Sequence, residues 1–217
     1  MTLKSSKKNQ YAYVSVAGLV GCGKTTAVNL LAEKLGFHLF EEKVKENKFL
    51  PLFYQDARRW AFQSQLFYLK EKASQLVKIK KIINETNVIQ DVPLSQDCLV
   101  YAKAQQILGN MNKDEFALYE KFFHMLNREA PEPHFIIQLN ASVPVIMQRI
   151  KLRGRDYEKS ISPEYITLLL KLQNEWLGNY PKSKLVVVDT DTLDIVSNPK
   201  HQDQFIEIVK SRLADFL

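Results

Sequence analysis

A short glycine-rich segment has the spacing of a phosphate-binding loop. Residues 18–25, GLVGCGKT, match the pattern Gly-x4-Gly-Lys-Ser/Thr, after a β-branched run and at the start of a helical pattern. There, backbone N–H groups and a helix N-terminus face phosphate oxygens, the lysine contacts the β- and γ-phosphates, and the threonine hydroxyl binds Mg²⁺. The segment predicts a nucleoside triphosphate site formed by Gly18, Gly21, Cys22, Gly23, Lys24, Thr25 and Thr26, with Thr25 as a metal ligand.

Acidic residues end two of the predicted strands. Glu41 and Glu42 close the strand at 38–41, and Asp91 follows the strand at 87–90. Ligands of parallel sheets bind at the carboxyl ends of the strands, so these carboxylates are expected near the phosphates. A carboxylate facing the γ-phosphate can accept a proton from an attacking hydroxyl, which makes Glu42 the candidate base. Asp91 is the candidate carboxylate beside Mg²⁺, and a solvated acidic loop is the alternative for Glu41-Glu42.

The long helical pattern at 55–83 carries two polar residues on one face. Gln63 and Lys70 are seven residues apart, which is two turns of an α-helix. Gln63 follows the apolar run at 60–62, and a carboxamide there can form two hydrogen bonds with the edge of a nucleobase. The alternative is an amide bonded to backbone groups.

Three arginines lie close together at residues 149–155. Arg149 and Arg153 are four residues apart on a predicted helix, and Gly154 releases the chain into a polar loop that contains Arg155. Such a segment can close over phosphates and offset the charge that develops during phosphoryl transfer. The alternative is an ordinary basic helix end, stabilised by the helix dipole.

The elements that must position these residues alternate along the chain. Strands are predicted at 13–17, 38–41, 87–90, 135–139 and 184–188, and helices at 25–35, 55–83, 96–126 (broken near Gly109), 143–152, 163–177 and 202–217. This alternation predicts a single α/β domain over residues 1–217, with a five-stranded parallel sheet covered by helices on both faces. The arginine-rich loop at about 153–162 would form a lid.

The composition limits the possible partners. With 217 residues, 46% of them hydrophobic, the chain can bury an ordinary core. The net charge of +6 favours anionic ligands, but the basic residues are spread out, so no nucleic-acid interface is expected. No segment approaches the ~18 apolar residues of a membrane span. The two cysteines, Cys22 and Cys98, favour a reducing compartment, the cytoplasm.

The N-terminus imitates a secretion signal. Lys4, Lys7 and Lys8 precede the apolar patch YAYVSVAG, and a cysteine follows at position 22. The patch is interrupted by two tyrosines and a serine, and Cys22 leads directly into Gly-Lys-Thr-Thr. The phosphate-loop interpretation accounts for more residues, so we expect no signal peptide.

Four segments together resemble the deoxynucleoside kinase family: GLVGCGKTT, FEEKV, FYQDARRWAFQSQ and MQRIKLRGRDYEKSISPEY. The resemblance covers nearly the whole chain and keeps the order of the motifs. It implies a P-loop kinase fold, ATP as phosphate donor with Mg²⁺, a deoxynucleoside as acceptor, and a homodimer.

Carried over position by position, the resemblance also implies a role for each candidate residue. On the acceptor side, Glu42 is the base for the 5′-hydroxyl, Tyr54 and Glu158 bind the sugar 3′-hydroxyl, Gln63 pairs with the nucleobase, and Lys70 and Asp97 lie beside that base. On the donor side, Arg149 packs on the adenine, Arg153 and Arg155 contact the phosphates, and residues 190–194 contact the donor base.

The chain departs from the family pattern at three places. Lys43 stands where the family usually has proline, and Lys70 replaces an arginine, which loses a planar two-pronged donor. The family's Asp/Glu-Arg-Ser is here Asp91-Val92-Pro93, so the acid is kept and the arginine is lost. We expect Lys70 or an arginine from elsewhere to supply the missing charge.

The motifs and the resemblance predict an ATP-dependent kinase that phosphorylates the 5′-hydroxyl of a deoxynucleoside. The likeness to the small bacterial purine enzymes of the family implies a purine, deoxyadenosine or deoxyguanosine. One alternative is a nucleoside monophosphate kinase, although Glu42 would repel an acceptor phosphate. The other alternative is a family member that binds nucleotide without phosphorylating, as a regulatory or partner subunit, which the missing arginine would favour.

Overall fold

The fold is built on a five-stranded sheet. The structure, a computed structural model, describes residues 11–216, so the basic segment with Lys4, Lys7 and Lys8 lies outside the described residues. The strands are β1 (Tyr13–Gly18), β2 (His38–Phe40), β3 (Val88–Asp91), β4 (Phe135–Asn140) and β5 (Leu185–Asp189). They are all parallel, in the order β2-β3-β1-β4-β5. The predicted five-stranded parallel sheet is confirmed.

Helices connect the strands. They are α1 (Lys24–Leu35), α2 (Phe49–Gln55), α3 (Ala57–Ile82), α4 (Leu94–Gln96), α5 (Lys103–Ile107), α6 (Lys113–Arg128), α7 (Val143–Arg153), α8 (Pro163–Gly178) and α9 (Pro199–Ala214). A π-helical turn, Asp97–Ala102, joins α4 to α5, and 3₁₀ turns span Val44–Glu46, Asp156–Ser160 and Lys182–Lys184. No helix in residues 11–216 is long and apolar enough to cross a lipid bilayer.

The two faces of the sheet are buried under different helices. Val14 and Val16 of β1 pack in one core with side chains of α1, α7, α8 and α9. Tyr13, which points to the opposite face, packs in a second core with α3 and α6. Alternate residues of a strand face opposite sides of a sheet, so a strand buried on both faces reads as a continuous apolar run. The P-loop strand β1 therefore sits at the centre of the fold.

The sequence prediction missed one helix and one change of helix type. Helix α2 precedes α3 because Asp56, with φ −144°, interrupts the helix and caps α3 by accepting from the Arg59 N–H (3.1 Å). The predicted helix at 96–126 breaks at Gly109 (φ 73°), as expected, but it also begins with the π-helical turn. The last helix begins at Pro199 rather than Gln202, because Asn198 caps it.

Candidate active site

A cavity of about 860 Å³ opens at the carboxyl edge of the sheet. It lies where β1, β2 and β3 end, the position expected for a ligand of a parallel α/β sheet. Its walls come from the glycine-rich loop, the strand ends, α2, α3 and the arginine-rich segment. The predicted site residues among them are Gly21, Gly23, Lys24, Thr25, Thr26, Glu42, Tyr54, Asp91, Asp97, Arg149, Arg153, Arg155 and Glu158.

The glycine-rich loop is shaped by close backbone contacts. Gly23 has φ 93° and caps α1, a left-handed conformation that side chains disfavour. A Cβ at Gly18 would lie 2.9 Å from the Leu139 carbonyl oxygen of the neighbouring strand. Lys24 donates to the Leu19 carbonyl within the loop (3.1 Å), and Cys22 is buried in the core behind it. The loop thus presents backbone N–H groups and one ammonium to the cavity.

A buried glutamine holds the beginning of this loop. Gln96 follows the Val92-Pro93 turn and is fully buried. Its amide accepts from the Gly18 N–H (3.1 Å) and donates to the Gly18 carbonyl (2.8 Å). The turn after β3 is therefore attached directly to the phosphate-binding loop.

Three carboxyl groups line the cavity near the strand ends. Burial, together with the nearby Glu42 charge, raises the pKa of Asp91 to about 6, although Lys24 and Lys72 act in the opposite direction. Burial also raises the pKa of Asp97 to about 8. One carboxylate oxygen of each aspartate finds no hydrogen-bond partner among the described residues. Both aspartates line the cavity, and each has a buried oxygen whose hydrogen-bonding capacity is unsatisfied.

The cation beside these carboxyl groups is Lys72. The Lys70 side chain is 71% exposed and pairs with Glu71 (2.5 Å). Contrary to the expectation from the sequence, it does not reach Asp97. Lys72 is fully buried, donates to the Asp91 backbone carbonyl, and lowers the pKa of Asp97 more than any other neighbour. The lysine beside the two aspartates is therefore Lys72, two residues after the predicted Lys70.

The same two-residue correction applies to the glutamine of α3. Gln63 does not line the cavity. With its amide oxygen and nitrogen exchanged, Gln63 donates to the Arg59 carbonyl (3.1 Å) and accepts from the Arg59 guanidinium (3.0 Å). Gln65 is buried, lines the cavity, and its amide oxygen finds no partner among the described residues. An unsatisfied buried amide that faces a cavity is a natural partner for a polar ligand.

Val92 adopts a strained backbone conformation. With φ 63°, it is the one non-glycine residue with positive φ in the described part of the chain. The left-handed region costs about 1–2 kcal/mol for a residue with a Cβ, and β-branched residues are rare there. The Val92 N–H donates to the Val16 carbonyl (3.1 Å), which ties the turn to β1. Such strain persists only where its surroundings fix it.

The lid arginines are held by one carboxylate. Helix α7 ends at Gly154 (φ 67°), and the 3₁₀ turn Asp156–Ser160 follows. Arg153 donates twice to Glu158 (2.6 and 3.1 Å) and Arg155 donates once (3.2 Å). Glu158 is only 3% exposed, so this cluster forms a compact wall of the cavity.

Arg149 has a different partner from the lid arginines. Its guanidinium donates to the Thr190 carbonyl (2.6 Å) and hydroxyl (2.9 Å), at the start of the loop after β5. Asp191 and Asp194 of that loop also line the cavity. Arg149 and the 190–194 loop thus lie together at the end of the cavity that the glycine-rich loop borders.

Aromatic and apolar side chains form the opposite end. Tyr54 stacks on Tyr157 of the lid (5.7 Å between ring centroids), and burial raises its pKa well above the usual tyrosine range, so its phenol stays a hydrogen-bond donor. The wall that sequence reasoning missed consists of Val44, Leu50, Phe53, Tyr68, Tyr101 and Tyr165. The sequence analysis did not predict α2, which supplies Leu50 and Phe53, and therefore could not place these two residues at the cavity.

The donor set fits Mg²⁺ better than a transition metal. The described residues contain no group of three or more His, Cys, Asp or Glu side chains that could hold a metal ion by themselves. Mg²⁺ is commonly held by one or two protein oxygens together with substrate phosphates and water. The Thr25 hydroxyl and the unpartnered oxygen of Asp91, both at the cavity, match that requirement.

Comparisons with known proteins agree with this geometry. Deoxyguanosine kinase of Bacillus subtilis (strain 168) is 28% identical over 210 residues, which cover 95% of this chain and 100% of that protein. Deoxyadenosine kinase of Lactobacillus acidophilus is 29% identical over 211 residues, covering 93% and 96%. The solved structure of deoxyadenosine kinase from M. mycoides with the product dCMP and a flexible dCDP superposes with a TM-score of 0.79 at 28% identity, covering 92% of this chain and 99% of that one.

A second structure of the M. mycoides enzyme, with bound dCTP, gives a TM-score of 0.78 at 27% identity over 94% of this chain and 99% of that one. The family described as deoxynucleoside kinase matches residues 14–214, nearly the whole chain. The sheet order and the glycine-rich loop are those of a P-loop kinase fold. The chain belongs to the deoxynucleoside kinase family.

Proposed function

We propose that this chain transfers the γ-phosphoryl group of ATP to the 5′-hydroxyl of a purine deoxynucleoside, releasing the deoxynucleoside 5′-monophosphate and ADP. The observation that carries the proposal is the cavity, which joins the phosphate-binding loop and Asp91 at one end to Glu42 and Gln65 at the other. The first end fits a triphosphate, and the second fits an uncharged hydroxyl acceptor.

On the donor side, the chain supplies positive charge from several elements. Loop N–H groups and Lys24 bind the phosphates, and Arg149 with the 190–194 loop contacts the adenine. Thr25 and Asp91 would hold Mg²⁺, which neutralises charge on the β- and γ-phosphate oxygens when bound. Arg153 and Arg155 stabilise the charge of the transferring group once phosphates draw them from Glu158.

On the acceptor side, Glu42 accepts the proton of the 5′-hydroxyl as the oxygen attacks the phosphorus in line. Tyr54 and Glu158 bind the sugar 3′-hydroxyl and leave no room for a ribose 2′-hydroxyl. Their proximity supports this role, because the Glu158 charge contributes to the raised pKa of Tyr54. Lid closure and sugar binding thus involve the same carboxylate.

The base is recognised by Gln65 and Asp97. Gln65 can both donate and accept, which suits the edge of a purine, and Asp97 can donate because its raised pKa of about 8 keeps it protonated near neutral pH. A purine preference is further supported by the relatives named deoxyguanosine kinase and deoxyadenosine kinase. Another relative, of Bacillus subtilis, is named deoxyadenosine/deoxycytidine kinase, so cytosine is the alternative base to compare.

The acceptor end argues against a nucleoside monophosphate as substrate. Glu42 lies there, and its carboxylate would repel an acceptor phosphate. Lys72 can replace the positive charge of the arginine that the family has at position 92, because its buried ammonium lies next to Asp91. This compensation favours an active kinase over a catalytically silent subunit.

The proposal is tested by supplying purified protein with MgATP and each of the four deoxynucleosides in turn. The formation of monophosphate and ADP is followed by chromatography, with deoxynucleoside monophosphates as control acceptors. We expect deoxyadenosine or deoxyguanosine to give the highest kcat/KM. Turnover of a monophosphate without turnover of any deoxynucleoside would overturn the proposal, and ATP binding without any phosphorylation would identify a silent family member.

We also propose a homodimer in the cytoplasm. On α6, Leu118, Phe122 and Met125 form a stripe at helical spacing and are 46%, 39% and 60% exposed, a surface that a second copy could bury. Sedimentation of the wild type and of Met125→Glu tests this, with a shift to monomer expected for the variant. The buried free thiols of Cys22 and Cys98 fit a reducing compartment.

A further inference from the structure

Helix α3 carries a row of buried and half-buried polar side chains. Gln65, Tyr68, Lys72 and Gln75 are spaced three, four and three residues apart, so they lie on one face of the helix. Gln65 and Tyr68 line the cavity, whereas Lys72 and Gln75 do not. Each of the latter two donates instead to a backbone carbonyl at the end of a strand.

Gln75 is the last side chain in a series of hydrogen bonds that links β1, β3 and the end of β2. The Tyr13 hydroxyl donates to the Gln90 amide oxygen (2.6 Å), the Gln90 amide nitrogen donates to Gln75 (3.1 Å), and Gln75 donates to the Glu41 carbonyl (2.7 Å). Each side-chain amide in this chain both donates and accepts, so its orientation is fixed. The chain ends at the peptide that leads into Glu42.

Lys72 acts in the same way on the neighbouring strand. Its ammonium donates to the Asp91 carbonyl, which belongs to the peptide that joins Asp91 to Val92. Val92 is the residue in the left-handed conformation, and its N–H is held by Val16 (3.1 Å). Lys72 therefore holds one side of a strained peptide whose other side β1 holds.

We propose that Lys72 and Gln75 are positioning residues, which set the separation of the Asp91 and Glu42 carboxylates by fixing the ends of β3 and β2 to one helix. This inference rests on the proposed kinase function. It assigns neither residue a contact with substrate. A misplacement of about 1 Å at a reacting group can lower the rate by about 100-fold, so such residues can be decisive without touching the substrate.

The first experiment removes the Gln75 contact. We expect Gln75→Leu to lower kcat about 10- to 100-fold while the KM for deoxynucleoside changes less than about threefold. In a double-mutant cycle, Gln75→Leu should lower kcat little further once Glu42→Gln is present, because Gln75 acts through Glu42. Full additivity in the cycle, or an unchanged kcat in the single variant, would overturn the role of Gln75.

The matched control is Tyr13→Phe, at the far end of the same hydrogen-bonded chain. It removes one buried hydrogen bond, so it should lower the Tm, but it leaves the contact between Gln75 and Glu41 in place. We expect its kcat to stay within about twofold of the wild type. If Tyr13→Phe and Gln75→Leu lost Tm and kcat in equal proportion, the effect would be general destabilisation and the proposal would fail.

The second experiment tests Lys72 by rescue. Lys72→Met should lower kcat, and adding Val92→Gly should restore much of it, because glycine adopts the left-handed conformation without a Cβ clash. An absence of rescue in folded protein would contradict the role of Lys72. If Lys72→Met does not fold, the double-mutant cycle of Gln75→Leu with Glu42→Gln decides whether the positioning proposal stands.

Failure of this inference is distinguishable from failure of the proposed function. If the wild type phosphorylates no deoxynucleoside, the kinase proposal itself is wrong. If the wild type is active and Gln75→Leu keeps its kcat, only the positioning role is wrong.

Discussion

Gln96 and Gly18 are joined by two reciprocal hydrogen bonds, of 3.1 and 2.8 Å, as a pair of neighbouring strand residues would be. The side-chain amide takes the place of a backbone peptide at the point where β1 becomes the phosphate-binding loop. The turn after Asp91 therefore helps to shape the ATP site.

Replacing Gln96 should weaken both folding and ATP binding. Gln96→Leu leaves the two Gly18 backbone groups without this partner. Each buried unsatisfied group costs about 1–3 kcal/mol, so we expect the free energy of unfolding to fall by about 2–6 kcal/mol. Urea denaturation and the KM for ATP measure the two effects. Gln173→Leu is the control, because Gln173 is equally buried and neither amide atom finds a partner among the described residues. Equal losses in both variants would contradict the role of Gln96.

The two glutamines of α3 should behave differently. Gln65→Leu should lower kcat/KM for the deoxynucleoside about 10- to 100-fold, mainly through KM, because it removes the amide at the cavity. Gln63→Leu should change it less than about twofold, since Gln63 does not line the cavity. Steady-state kinetics with the preferred deoxynucleoside separate the two. A larger loss of kcat/KM in Gln63→Leu than in Gln65→Leu would instead support the sequence-based assignment of Gln63 to the nucleobase.

Glu42 should dominate the chemical step. A positioned general base contributes about 10²–10⁴-fold, so Glu42→Gln should lower kcat by that factor while ATP binding, measured by calorimetry, stays the same. The neighbouring Glu41→Gln is the matched control, because the Glu41 side chain is exposed and does not line the cavity. We expect it to stay within about threefold of the wild type. Comparable kcat for both variants would exclude Glu42 as the base.

Asp97 should make stability depend on pH. Burial raises its pKa to about 8, with Glu42 and Asp91 adding to the shift and Lys72 and Lys24 opposing it. Between about pH 4 and pH 8 the folded state keeps a proton that the unfolded state releases, so the free energy of unfolding falls as the pH rises. Urea denaturation at about pH 6 and pH 8.5 should show this fall in the wild type and a smaller one in Asp97→Asn. Equal pH dependence in both would contradict the assignment.

The glycine-rich loop was predictable from sequence because its chemistry is local. Its glycines, Lys24 and Thr25 are consecutive, and the strand before and the helix after them follow from short-range patterns. The strand ends at Glu42 and Asp91 were likewise placed correctly at the cavity. Residues that follow a strand in a parallel sheet must meet at one edge, so no tertiary detail was needed.

The structure places neither Gln63 nor Lys70 at the cavity, because the face that α3 turns towards it depends on packing. Gln63 and Lys70 do share a face, but a shift of two residues turns about 200° around the helix, to the opposite side. Gln65 and Lys72 are also seven residues apart, so spacing alone could not separate the two pairs. The buried side is fixed by how α3 packs on β3 and α6, through contacts distant in sequence.

The left-handed backbone at Val92 was not predictable either. Valine disfavours positive φ, so its local preference points away from the conformation observed. The peptide between Asp91 and Val92 is hydrogen-bonded to Lys72, 20 residues before Val92, and to Val16 in the central strand, and neither contact is local in sequence. Local conflict of this kind is expected at functional sites.

The row of polar side chains on α3 has a consequence for enzyme engineering. The same helix carries Gln65, which lines the cavity, and Lys72 and Gln75, which donate to backbone carbonyls at the ends of β3 and β2. A substitution that widens the base site by shifting α3 would therefore also move the carboxylates. New base specificity should be sought by exchanging side chains at the cavity wall, with the helix axis left in place.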